Sequence, residues 1–79
     1  MQKRSLTIAS HRTSIALEPE FWTALEHICN LKNMKIVELI VEIDKNRKTR
    51  NLSSAIRSYC LKHFWSECAA LTEKQIQAH

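Results

Sequence analysis

A chain of 79 residues carrying a formal net charge of +4 is expected to form one small domain, whose helical faces alone give a thin core that dimerisation would thicken. Twelve Lys and Arg against eight Asp and Glu modestly favour an anionic partner, and the absence of glycine excludes a glycine-rich phosphate loop. Three cysteines at no disulfide-framework spacing argue against a stapled secreted fold, and no uncharged run approaches the ~18 residues of a membrane span.

Residues 1–11 read as a basic N-terminal arm with weak strand character at Leu6 and Ile8. Lys3 and Arg4 are not followed by the apolar stretch of a signal peptide, so the compartment expected is the reducing cytoplasm. Arg12-Thr13-Ser14-Ile15-Ala16-Leu17 alternates with the period of a strand, setting Thr13, Ile15 and Leu17 on one face and Arg12, Ser14 and Ala16 on the other. Pro19 stops the strand and suits the first position of a helix, with Glu18 at its cap and Glu20 in its first turn.

A lone strand leaves its backbone groups unpaired, so it requires a partner. Ser5-Leu6-Thr7-Ile8 stands close by, but the intervening Ala9-Ser10-His11 lacks the Gly or Asn-Gly chemistry of tight hairpins. A second copy of the chain, pairing antiparallel across a two-fold axis, is the supplier expected from the residues. A two-stranded ribbon of that kind fits a DNA major groove.

The first helix is expected from Pro19 to about Leu31, with Phe21, Leu25, Ile28 and Cys29 on one stripe, Trp22 beside it and Asn33 as its stop. A second should follow from about Ile36 to Lys45, burying Ile36, Leu39, Ile40 and Ile43. Its cap position holds Lys35 instead of Ser, Thr or Asp. After the polar linker Asn46-Arg47-Lys48-Thr49-Arg50, a third helix capped by Asn51 or Ser53 carries Leu52, Ala55, Ile56, Tyr59, Cys60, His63 and Phe64 on one face and extends to about Ala70. Trp65 lies off that stripe and is expected at the surface, and residues 71–79 are expected to fray.

Positive charge is segregated along this layout. Residues 1–17 hold Lys3, Arg4 and Arg12 without an acid, and residues 45–62 hold Lys45, Arg47, Lys48, Arg50, Arg57 and Lys62 likewise. Cys60, His63 and Cys68 lack the paired spacings of a zinc site, so no metal or other cofactor is expected. His27 and Cys29, two apart on a helix, point in different directions, and no enzymatic constellation is expected.

A basic strand entering Leu17-Glu18-Pro19-Glu20-Phe21-Trp22, a helix, a turn at Asn33-Met34 and a second helix opening Ile36-Val37-Glu38-Leu39-Ile40 resemble the ribbon-helix-helix DNA-binding proteins of bacteria and their phages. The resemblance covers about residues 4–66. It is closest to a small bacterial subgroup with His11-Arg12-Thr13-Ser14-Ile15 before the first helix and Asn51-Leu52-Ser53-Ser54-Ala55-Ile56-Arg57 opening an extra one. The implied fold is mainly α with one short β-strand, paired antiparallel across a homodimer, plus a third helix. Residues 12–70 would form the domain.

The resemblance implies sequence-specific binding of double-stranded DNA by a homodimeric transcriptional regulator, with Arg12, Ser14 and Ala16 on the base-reading face. It also implies a phosphate clamp at the start of the second helix, here Lys35, Ile36 and Val37. Lys3 and Arg4 on the arm and Lys48 and Arg50 in the linker are the further candidates for phosphate contact. Two departures stand out: Asn33 replaces the common Gly of the turn, and Lys35 replaces the usual Ser or Thr. The alternative function is a protein-interaction module, an antitoxin or adaptor acting through the third helix.

Overall fold

The computed structural model describes the backbone of residues 1–77 and the side-chain surroundings of residues 1–68. Its elements in order are β1 (Gln2–Ile8), β2 (His11–Leu17), α1 (Pro19–Lys32), α2 (Ile36–Asn46) and α3 (Leu52–Gln77). β1 and β2 pair antiparallel from Gln2↔Leu17 to Ile8↔His11, so the strand partner expected from a second copy is supplied by the chain itself. Residues 2–8 are therefore a strand of the ribbon and not a free arm. Two residues make the connection. Ala9 and Ser10 sit at φ 51° and 68°, the doubly left-handed geometry of a type I′ turn, whose twist matches the flanking strands. Left-handed backbone costs an L-residue about 1–2 kcal/mol, and a seven-pair ladder with an apolar inner face offsets that cost here.

That inner face follows from alternation: Arg4, Leu6, Ile8, Thr13, Ile15 and Leu17 turn toward the helices, with Ile8, Ile15 and Leu17 buried. Pro19 opens α1 as expected, and Trp22, Leu25, Ile28 and Cys29 form its buried stripe. Asn33 ends it at φ 55°, a left-handed cap in which the Met34 N–H donates to the Cys29 carbonyl at 2.9 Å. α2 buries Leu39, Ile40 and Ile43. Asn51 is the cap of α3, its Oδ1 accepting from the Ser54 N–H at 3.2 Å.

Every element contributes to one core, and each large apolar side chain buried there stabilises by roughly 1.5–3 kcal/mol. The thin core expected of a monomer is remedied within the chain: Ala55, Ile56 and Cys60 of α3 close it on one side, and β1 adds Ile8. Three polar links fasten the ends. The Trp22 indole N–H donates to the Gln2 carbonyl at 2.8 Å, the Ser53 hydroxyl to the Ala16 carbonyl at 3.2 Å, and Arg57 grips the Glu18 carboxylate at 2.9 and 3.3 Å. α3 continues through residues 71–77 of the expected tail, and residues 78–79 lie outside the described residues.

Candidate nucleic-acid interface

Because the ribbon packs one face on the helices, its other face must be either polar or covered. It is polar. Lys3, Ser5 and Thr7 of β1 and Arg12 and Ser14 of β2 are all exposed, with Ala16 half-buried at the end of the row. The register sets Thr7 opposite Arg12, Ser5 opposite Ser14 and Lys3 opposite Ala16. A two-residue turn makes Ile8 and His11 a hydrogen-bonded pair, so by alternation these three are the wide pairs whose side chains stand closest together. The Ser5 and Ser14 hydroxyls accordingly meet at 3.3 Å. Two cations and three hydroxyls thus share a face that carries no carboxylate, an arrangement able to donate to bases and phosphates alike.

Arg4 belongs to the other face. Although it neighbours Lys3 in the sequence, its guanidinium is 3.0 Å from the Glu26 carboxylate and 4.5 Å above the Trp22 ring centre, tying β1 to α1. Of the remaining candidates, Lys35 is the exposed cap residue of α2, with Ile36 and Val37 in its first turn. The Glu38 carboxylate accepts from the Lys35 N–H at 2.9 Å, so one of the amides at this helix start is already bonded to an anion. Lys48 and Arg50 are exposed in the connection beyond the other end of α2, about 16 Å away for a helix of 11 residues. The two groups can touch two different phosphates but not the same one. Arg47 in that connection is held by Asp44 at 2.9 Å and donates to the Arg50 carbonyl. Lys48 and Lys62 line an open cavity of about 390 Å³ between α2 and α3, floored by Ile43 and Ala55.

Reading residue types alone passes over Ser5 and Thr7. Their signal was the spacing Lys3-x-Ser5-x-Thr7, the same alternation that marks β2, once a partner for β2 is sought upstream. The cysteine and histidine cluster of α3 is dispersed: Cys60 is buried, with its thiol pushed up to about 11 by burial, Cys68 is exposed, and His63 stands 3.2 Å from Glu67.

With a hairpin ribbon followed by two helices and a third that closes the core, the architecture meets the sequence family that matches the chain, the ribbon-helix-helix domain, over residues 1–64. The chain belongs to the ribbon-helix-helix domain family. The match takes in β1 as well as the strand and two helices that name the fold, and it ends inside α3, just past Cys60, the last buried core residue among the described residues. No curated protein and no solved structure matches the chain. Among the described residues, no helix is long and apolar enough to cross a membrane.

Proposed function

We propose that this ribbon-helix-helix chain is a homodimeric transcriptional regulator that binds double-stranded DNA sequence-specifically, laying its two-stranded ribbon in the major groove. The observation that carries this reading is the ribbon's outer face, polar, cationic and free of carboxylates, turned away from the core that buries Ile8, Ile15 and Leu17 of the inner face. Ribbon-helix-helix domains are typically found in DNA-binding regulators and antitoxins, which fits that face. Arg12 is suited to a bidentate contact with guanine, Ser14 to a base or phosphate oxygen, and the Ala16 methyl to a thymine methyl. Lys3, the first turn of α2 at Lys35, Ile36 and Val37, and Lys48 and Arg50 supply phosphate contacts, whereas Arg4 is engaged by Glu26 and Trp22.

Selection of bound duplexes from a random pool tests the reading. A defined site should emerge, and Arg12→Ala should weaken that site by about 1–3 kcal/mol while leaving a scrambled duplex almost unaffected. Enrichment of no sequence would end the proposal. A second reading, a protein-binding role for α3, is favoured by Leu61 and Trp65, one turn apart and 64% and 73% exposed. Leu61→Ser with Trp65→Ser would then abolish capture of a protein partner without lowering DNA affinity.

A further inference from the structure

We propose that the open cavity between α2 and α3 is a binding site for a small organic anion, a carboxylate or sulfonate carried on an apolar body, with the anionic head held by Lys48 and Lys62. The cavity measures about 390 Å³, within the range of about 300–1,000 Å³ that small-molecule sites occupy. Its floor is apolar. Ile43 of α2 and Ala55 of α3 form it, and both belong to the buried core, so the base of the site is firm. Ala55, Tyr59 and Lys62 follow one another along one face of α3, which brings a phenol and an ammonium above that floor.

The rim is cationic where it can still bind. Arg47 is taken by Asp44 at 2.9 Å and donates to the Arg50 carbonyl, but Lys48 and Lys62 have no carboxylate partner among the described residues. Glu42 puts a carboxylate in the wall, and Lys32 balances it. The Lys32 ammonium donates to the Tyr59 oxygen at 2.8 Å and is favoured in its charged form by that bond and by Glu42. With its oxygen so occupied, Tyr59 keeps its own O–H proton to donate, and a donor polarised by an ammonium suits an anion.

These features select the occupant. A bare inorganic anion would leave the floor facing water, and a neutral apolar molecule would leave Lys48 and Lys62 unused; an anion on an apolar body satisfies both. The chain's own end is not the occupant, because α3 runs on as one helix through Gln77. A second copy seated there across a two-fold axis would set Lys48 and Lys62 against their like. Lys62 takes no part in the DNA contacts proposed above, so loss of either function leaves the other standing.

The test titrates the full-length protein at low salt with anilinonaphthalene sulfonate, a fluorescent anion of this kind, and with its uncharged analogue phenylnaphthylamine. The sulfonate should saturate a single site per chain and bind more tightly than the neutral dye. Lys48→Gln and Lys62→Gln should each weaken the sulfonate about two- to fivefold and leave the neutral dye unaffected. Ser58→Phe sets a ring in the cavity from an exposed position of α3 and should abolish saturable binding of the sulfonate without lowering the melting temperature. Leu61→Ser with Trp65→Ser should change neither titration. If that pair removes the signal while Ser58→Phe and the lysine variants keep it, the dye sits on the exposed apolar patch of α3 and the inference is overturned. Equal binding of the two dyes, untouched by Lys48→Gln and Lys62→Gln, overturns it as well, and so does an absence of saturable binding by the parent.

Discussion

Replacement of Ser10 by glycine probes the hairpin at its least expected point. Ser10 holds φ 68° next to Ala9 at φ 51°, and such left-handed backbone costs a residue with a Cβ about 1–2 kcal/mol. Glycine removes that cost but gives back about 0.5–1 kcal/mol through the greater freedom of the unfolded chain. Ser10→Gly is therefore expected to stabilise the fold by about 0.5–1 kcal/mol, or roughly 2–8 °C in melting temperature for a domain of this size. Ala9→Asn combined with Ser10→Gly installs the dipeptide that type I′ turns favour and should add further. Ser10→Val, a branched side chain at a left-handed position, should move the other way. Thermal unfolding followed by circular dichroism at fixed protein concentration reads all three. If residues 1–11 were a loose arm, none of these changes would register, and a Ser10→Gly variant that melts with or below the parent refutes the turn and with it the single-chain ribbon.

The Arg57 guanidinium holds the Glu18 carboxyl below its ordinary 4.5 by hydrogen bonding. A carboxylate so depressed stabilises the fold above its ordinary value and loses that contribution as pH falls through the lowered one, so the deficit of Glu18→Gln in urea midpoints should be present at pH 7 and shrink on acidification; a pH-independent deficit contradicts it. Burial pushes the thiols of Cys29 and Cys60 upward, the latter to about 11, so a thiol reagent at pH 8 should label exposed Cys68 first and the other two only on unfolding. Three equally fast thiols would deny the core described. Trp22→Phe leaves the Gln2 carbonyl without its indole donor and weakens the seat of Arg4, with an expected loss of about 1–3 kcal/mol in chemical denaturation; a neutral result would mean that the start of β1 is not fastened to α1.

The helices were legible because each carries its own punctuation. Pro19 and Glu18 mark the start of α1, Asn33 takes the left-handed position that a glycine would normally hold, and apolar spacing set the buried faces of α2 and α3. The hairpin was not legible from the same kind of signal. Turn residues are recognised by their tolerance of positive φ, and neither Ala9 nor Ser10 advertises it; the turn is imposed by the ladder on both sides. Local chemistry loses here to the burial of Ile8, Ile15 and Leu17, a tertiary gain that no short window of sequence contains.

The same asymmetry governs the candidate site. Alternation alone places Arg12, Ser14 and Ala16 on one face, because that follows from the strand period whatever the partner strand. What the period cannot say is which row stands beside them, and that depends wholly on the turn. Arg4 and Lys3 illustrate the consequence: adjacent cations that look alike as arm charge are separated by strand pairing, one facing Glu26 and Trp22 and the other facing outward. Glu38 is the converse case at the start of α2. Its carboxylate reaches back to the Lys35 N–H and puts a negative charge on the start of the helix, where the dipole favours one.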